Sequence, residues 1–194
     1  IDAAMTDGSA LLMTMMFGMY SAGQWKDERE SNLLDGAAHF YGCYECKDGK
    51  YISIGSIEPQ FYASLIENME LDASKFSNQF DKNLWPNLKE LIGLRFKEKT
   101  RDEWCKIFTG KDICFAPVLS LEESLNNQHN LDRETFVEVA GIKQPAPAPR
   151  FSRTESEIKH PPLKVGSNTP EIIESLSSKI DVSALSDKKI IRLD

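Results

Sequence analysis

The chain has 194 residues, 41% of them apolar and 27% charged, a globular balance that excludes a disordered or collagen-like polymer. Lys and Arg total 23 against 30 Asp and Glu, a formal net charge of −7. That sign argues against nucleic-acid partners and against an anionic membrane surface, both of which call for a basic face.

Ile1 opens the chain, and no basic stretch precedes the first apolar run, so no signal peptide is expected and the sequence reads as a piece of a longer protein. Residues 3–22 predict one apolar helix, started by Asp2 or Thr6 and stopped by Gly23. The run is too short to span a bilayer, which takes about 20 apolar residues. A helix this apolar calls for a cover, and little in the remaining chain offers one. Its methionines at 5, 13, 15, 16 and 19 suit either core packing or a greasy ligand. Residues 24–35 read as a polar linker, and a new unit begins near Gly36.

Phe40–Cys46 and Lys50–Gly55 predict two strands joined by Lys47-Asp48-Gly49, a hairpin signal. Pro59 opens a helix over Gln60–Asn68, with Phe61, Leu65, Ile66 and Met69 on one face. A second helix covers Leu84–Glu98. Thr100 and Glu103 form a capping box for a third, with Trp104, Ile107 and Phe108 on its apolar side and Gly110 as its stop. Phe115–Leu119 predicts a strand that Pro117 confines to an edge. Ser120 and Glu123 repeat the capping box for a helix ending near Asn126, and Thr135–Val139 is strand-like. From 142 to 165 five prolines predict an extended arm. Thr169 then caps a helix with Pro170 at its first position, and the tail is polar. The order predicts an α+β unit of about 100 residues.

The turn Gly55-Ser56-Ile57-Glu58-Pro59 carries the strongest chemical signal. It places Glu58 at a helix N-terminus, where free N–H groups favour a carboxylate. Glu58 is either a base, a residue that orients one, or a structural cap. The cysteines at 43, 46, 105 and 114 lack a complementary ligand pattern. Cys43 and Cys46 fall in a strand, where residues three apart point to opposite faces, so no metal site is expected and the thiols read as reduced and partly buried. His39, His129 and His160 read as surface or capping residues.

Several segments read together carry more. Ile1-Asp2-Ala3-Ala4-Met5, Asn32-Leu33-Leu34-Asp35-Gly36-Ala37, Tyr44-Glu45-Cys46-Lys47-Asp48-Gly49, Gly55-Ser56-Ile57-Glu58-Pro59-Gln60-Phe61-Tyr62, Asp112-Ile113-Cys114-Phe115-Ala116-Pro117-Val118-Leu119 and Pro147-Ala148-Pro149-Arg150-Phe151 occur in order. Together they resemble the C-terminal half of the racemase branch of the class III CoA-transferase family. The transferase branch typically has a glycine-rich turn where this chain carries Glu58.

The resemblance implies a two-domain fold. Residues 1–23 would be a large-domain helix, 24–35 a linker, 36–140 the small α+β domain, and 141–194 a proline-rich return arm to the Rossmann-like large domain with a helical tail. It implies an interlocked homodimer and a 2-methylacyl-CoA substrate whose α-carbon is inverted through an enolate-like intermediate. No cofactor is implied, CoA being part of the substrate. The family's acid/base His and Asp would lie upstream of Ile1, Glu58 would partner that His, and Leu34, Tyr41 and Ile57 would line the acyl path. The chain alone would then be inactive. Relatives imply a mitochondrial or peroxisomal setting, although Arg192-Leu193-Asp194 is not a peroxisomal tripeptide. The acyl chain stays open between bile-acid intermediates and branched fatty acids. A CoA transferase working through an aspartyl thioester is the alternative enzyme reading, and a self-association module built on the Met-rich helix is the non-catalytic one.

Overall fold

A computed structural model describes residues 2–176 and 181–191. Ile1 and the tripeptide at 192–194 lie outside the described residues. The chain separates into two compact units, Ile1–Leu119 and Ser120–Asp194.

In the first unit the hairpin forms where the Asp48-Gly49 signal predicts it. Strands β1 (Tyr41–Glu45) and β2 (Tyr51–Gly55) pair antiparallel, with Tyr44 opposite Ile52 and Gly42 opposite Ile54. Gly49 closes the connection at φ 73°, a left-handed conformation that a side chain resists. Strand β3 (Phe115–Val118) pairs with the other edge of β2, giving the order β1-β2-β3. Pro117 therefore sits on an edge strand, where a residue without an N–H is tolerated.

Alternation turns Tyr44, Ile52 and Ile54 into the core. Helices α3 (Pro59–Asn68), α4 (Trp85–Phe96) and α5 (Arg101–Phe108) share that core. Each buried large side chain contributes on the order of 2 kcal/mol there. In α3 the inward stripe is Tyr62, Leu65, Ile66 and Met69, and Phe61 is only half-buried. Tyr62 displaces Phe61 from the predicted face because its hydroxyl finds an acceptor inside, the Phe76 carbonyl at 3.1 Å. The indole N–H groups of Trp85 and Trp104 are likewise satisfied, by the carbonyls of Gln79 and Phe96 at 2.8 and 2.9 Å. The Thr100–Glu103 capping box is closed in both directions.

Two expectations for this unit change. The apolar run forms two helices, α1 (Met5–Leu12) and α2 (Thr14–Ser21), not one. The break at Met13 accompanies a bond from Thr14 Oγ1 back to the Leu11 carbonyl at 2.6 Å. Among the described residues neither helix is covered: Met5 is 89% and Leu12 87% exposed. Residues 24–35, read as a polar linker, hold a hydrogen-bonded hub. Asn32 is buried and pairs with both backbone groups of Lys26, while Asp35 accepts from the N–H groups of Ser31, Asn32 and Ala37. His39 lies in the core rather than at the surface, fully buried, with Nε2 2.7 Å from the Tyr62 hydroxyl.

The second unit begins with α6 (Leu121–Asn126), its Ser120–Glu123 box closed as predicted. A short helix, α7 (Gln128–Asp132), follows, capped by the Asn127 side chain. Strands β4 (Phe136–Val139) and β5 (Ile142–Pro145) form a second hairpin. The extended arm thus starts after 145, because Ala140 and Gly141, both at positive φ, fold residues 142–145 back into pairing. Helix α8 (Thr169–Leu176) takes in Thr169 itself, and α9 (Val182–Asp187) adds a helix to the tail, capped by Asp181.

Candidate functional site

The turn between β2 and α3 is built from backbone bonds to distant segments. The Gly55 N–H donates to the Cys114 carbonyl at 2.8 Å, and the Ser56 N–H to the Phe40 carbonyl at 3.0 Å. Ser56 is buried, and its hydroxyl donates to the Ile113 carbonyl at 2.5 Å. The Gln79 side-chain amide donates to the carbonyls of Ser56 at 3.1 Å and Ile57 at 2.8 Å. Few polar groups of the turn are left to move, so the residue that follows is held in place.

That residue is Glu58. Its backbone is extended (φ −70°, ψ 143°) and its carbonyl takes the first helical bond, from the Tyr62 N–H at 3.0 Å. Pro59 follows at the first helical position, where a missing N–H costs nothing. The Glu58 side chain makes no capping bond and is exposed. This sets aside the side-chain cap reading: the carboxylate stands at a positive helix end with its oxygens uncommitted among the described residues.

Ile57 precedes Glu58 in the turn, and Tyr41 lies across from the turn's start. Register places Tyr41 opposite Gly55, and a Cβ built on Gly55 would stand 3.5 Å from the Tyr41 ring, so the ring lies along the start of the turn. Both side chains are half-buried against the core and half-open. Leu34 is half-buried on the Leu33–Gly36 turn, which Asp35 and a bond from Lys89 Nζ to the Gly36 carbonyl at 2.6 Å hold separately. Burial opposes ionisation of Asp35, but hydrogen bonds from Asn32, Ser31 and Ala37 outweigh it and hold this carboxyl below the usual range.

Cys114 was not legible as a neighbour of Glu58. It is exposed and carries φ 58°. Burial, then the charges of Asp112 and Glu58, push its thiol up, so a thiolate nucleophile is disfavoured here. Gln79 was missed as well, since nothing in sequence marks a residue whose role is to reach back across the core. Cys43 and Cys46 fall one exposed and one buried, and all four cysteines are free thiols. No cluster of three or more metal-ligating side chains occurs among the described residues. An open apolar groove of about 480 Å³ runs beside α3, lined by Pro59, Tyr62, Ile66, Phe76 and Gln79 among others; Glu58 is not one of its walls.

Residues 1–169 match the family model described as CoA-transferase family III. The chain belongs to that family. It is 37% identical to the alpha-methylacyl-CoA racemase of Mus musculus over 198 residues, covering 100% of this chain and 52% of the relative. The Homo sapiens racemase matches at 37% over 196 residues, with 98% and 51% covered. Among solved structures, Rv3272 from Mycobacterium tuberculosis matches with a TM-score of 0.65 at 16% identity, covering 87% of this chain and 44% of that one. That likeness concerns the fold alone: the mixed helix-and-strand architecture is that of class III CoA-transferase structures. The chain spans about half the length of the curated relatives it matches. No helix of the described residues is long and apolar enough to cross a membrane.

Proposed function

We propose that this chain is the C-terminal part of an enzyme that inverts the 2-methyl stereocentre of branched acyl-CoA thioesters. Family membership supports the coarser statement, a racemase or CoA-transferase function on acyl-CoA. The single observation that carries the finer one is the uncommitted Glu58 carboxylate on a turn whose backbone is locked.

The chemistry follows from the thioester. Its carbonyl acidifies the neighbouring carbon, so a base removes the α-proton and the electrons move onto the carbonyl oxygen. A proton returned to the opposite face inverts the centre. This takes one acid/base group on each face and hydrogen-bond donors toward the oxygen. Glu58 serves as partner to an imidazole supplied from outside this chain. A carboxylate beside one ring nitrogen fixes the tautomer and raises the basicity of the other. Tyr41 and Ile57 present their half-open faces to the acyl chain next to that pair, with Leu34 further along the path. The assembled enzyme is a homodimer, needs no cofactor beyond the CoA of its substrate, and works in mitochondria or peroxisomes.

The test is α-deuterium exchange of a 2-methylacyl-CoA in deuterated water. The 194-residue chain alone shows no exchange. In the protein that joins this chain to the half its relatives also possess, Glu58→Gln lowers the rate at least 100-fold, on the order of a lost acid/base contribution. An unchanged rate would remove Glu58 from the mechanism. The transferase reading retains the family's own description in its favour; CoA appearing on an added acceptor carboxylate would select it.

A further inference from the structure

We infer that Gln79 is a positioning residue for Glu58, an inference that rests on the role proposed above for that carboxylate. Gln79 is 8% exposed and lies 21 positions further along the chain, yet its side chain is spent on the Glu58 turn. Only its –NH₂ end can donate to two carbonyls, so the pair of acceptors on Ser56 and Ile57 fixes which amide atom faces them. These are the last two carbonyls before Glu58. Holding both at 3.1 and 2.8 Å fixes the peptide plane from which Glu58 departs.

Gln79 is itself anchored. Its own carbonyl accepts the Trp85 indole N–H at 2.8 Å, which ties the loop before α4 to the helix that follows. On the opposite side of the turn, the Ile113 carbonyl holds the Ser56 hydroxyl and the Cys114 carbonyl holds the Gly55 N–H. Glu58 thus carries a polar side chain of the turn left uncommitted among the described residues, and Gln79 determines where it starts. A shift of about 1 Å at a catalytic group costs up to 100-fold in rate, so the amide's effect appears in turnover.

The experiment uses the protein joined to its relatives' remaining half, assayed by α-deuterium exchange with wild type, Gln79→Ala, Gln79→Glu, Glu58→Gln and the two double variants. Gln79→Ala lowers kcat roughly 10- to 100-fold with KM within about twofold. In the Glu58→Gln background it lowers kcat by less than about twofold more, because the group it positions has gone. Gln79→Glu keeps the shape and supplies a pH signature. Protonated, its carboxyl still donates to one carbonyl; ionised, it repels both. Its kcat relative to wild type therefore falls as pH rises, whereas that of Gln79→Ala does not change with pH. Trp85 fluorescence and the urea midpoint identify a variant that has lost its fold, and the isosteric Gln79→Glu decides the matter if Gln79→Ala is one. Losses that multiply in full on the Glu58→Gln background, or a flat ratio for Gln79→Glu, overturn the role of Gln79 and leave Glu58 in place. A wild-type rate for Glu58→Gln overturns the underlying reading instead.

Discussion

His39 makes the first unit acid-sensitive in a way that one substitution isolates. The Tyr62 hydroxyl has one proton, and it is donated to the Phe76 carbonyl. Nε2 of His39, 2.7 Å from that hydroxyl oxygen, must then carry the imidazole hydrogen. Nδ1 is left buried with no partner. A second proton would have to go there, placing an uncompensated cation among Phe40, Tyr62 and Phe76. Burial accordingly pulls the pKa of His39 from 6.5 down to about 4. Unfolding frees the imidazole to take up a proton at its ordinary value. Between those two pH values the unfolded chain binds more protons than the native one, so stability falls as pH falls. The limiting slope is about 1.4 kcal/mol per pH unit, and the total over the window is on the order of 3 kcal/mol. With a urea dependence of about 2 kcal/mol per molar, the unfolding midpoint drops by roughly 1–1.5 M between pH 7 and 4.5 from this group. His39→Gln keeps an N–H donor for Tyr62 but cannot titrate. Carboxylates contribute equally to both proteins, so the difference between the two midpoint profiles reports His39. Parallel profiles across that range would refute the burial argument, as would an imidazole NMR titration of native His39 near its ordinary value.

Three further outcomes follow from the hydrogen bonds and exposures above. Asp35→Ala removes the acceptor for three backbone N–H groups and destabilises the unit by about 1–3 kcal/mol in urea titration. Because its native pKa lies below the ordinary 3.8, that contribution is complete above this value and fades as pH falls through the native one. Peptide mapping after brief iodoacetamide treatment at neutral pH finds Cys43 alkylated first; Cys114, exposed but with its thiol pushed up, follows more slowly, and Cys46, buried and with its thiol pushed up to about 11, reacts only on unfolding. Glu58→Gln lowers stability in urea titration by no more than about 1 kcal/mol, the charge–dipole contribution alone, since its carboxylate makes no capping bond; a larger loss would mean that it bonds to the helix start after all.

What could be read in advance was local. Gly49 announces a hairpin, Thr100 with Glu103 announces a helix start, and Pro117 announces an edge, each through chemistry contained within a few residues. The place of Glu58 before Pro59 belongs to the same class. The sequence was silent where a partner outside the immediate motif decided the outcome. His39 stands between Ala38 and Phe40, both fully buried, and Tyr62 gives its ring an interior partner that no local motif announces. The polar stretch at 24–35 resembles a linker until Asn32 and Asp35 find each other and the backbone around them. Prolines at 145, 147 and 149 suggested an arm, yet Pro145 ends a strand opposite Phe136. The supports of the candidate site, Gln79 and the carbonyls of Phe40, Ile113 and Cys114, are tertiary, and no spacing rule reaches them.

The scaffolding of the Glu58 bend also sets the smallest excerpt that keeps it. Its anchors enter at Phe40, Gln79 and Cys114, on three stretches that meet only once the sheet and its helices have closed. Transplanting Ile57-Glu58-Pro59 onto a foreign strand–helix junction would carry the letters without the grip. A designer who wanted that carboxylate aimed the same way elsewhere would have to move everything from residue 40 to residue 114.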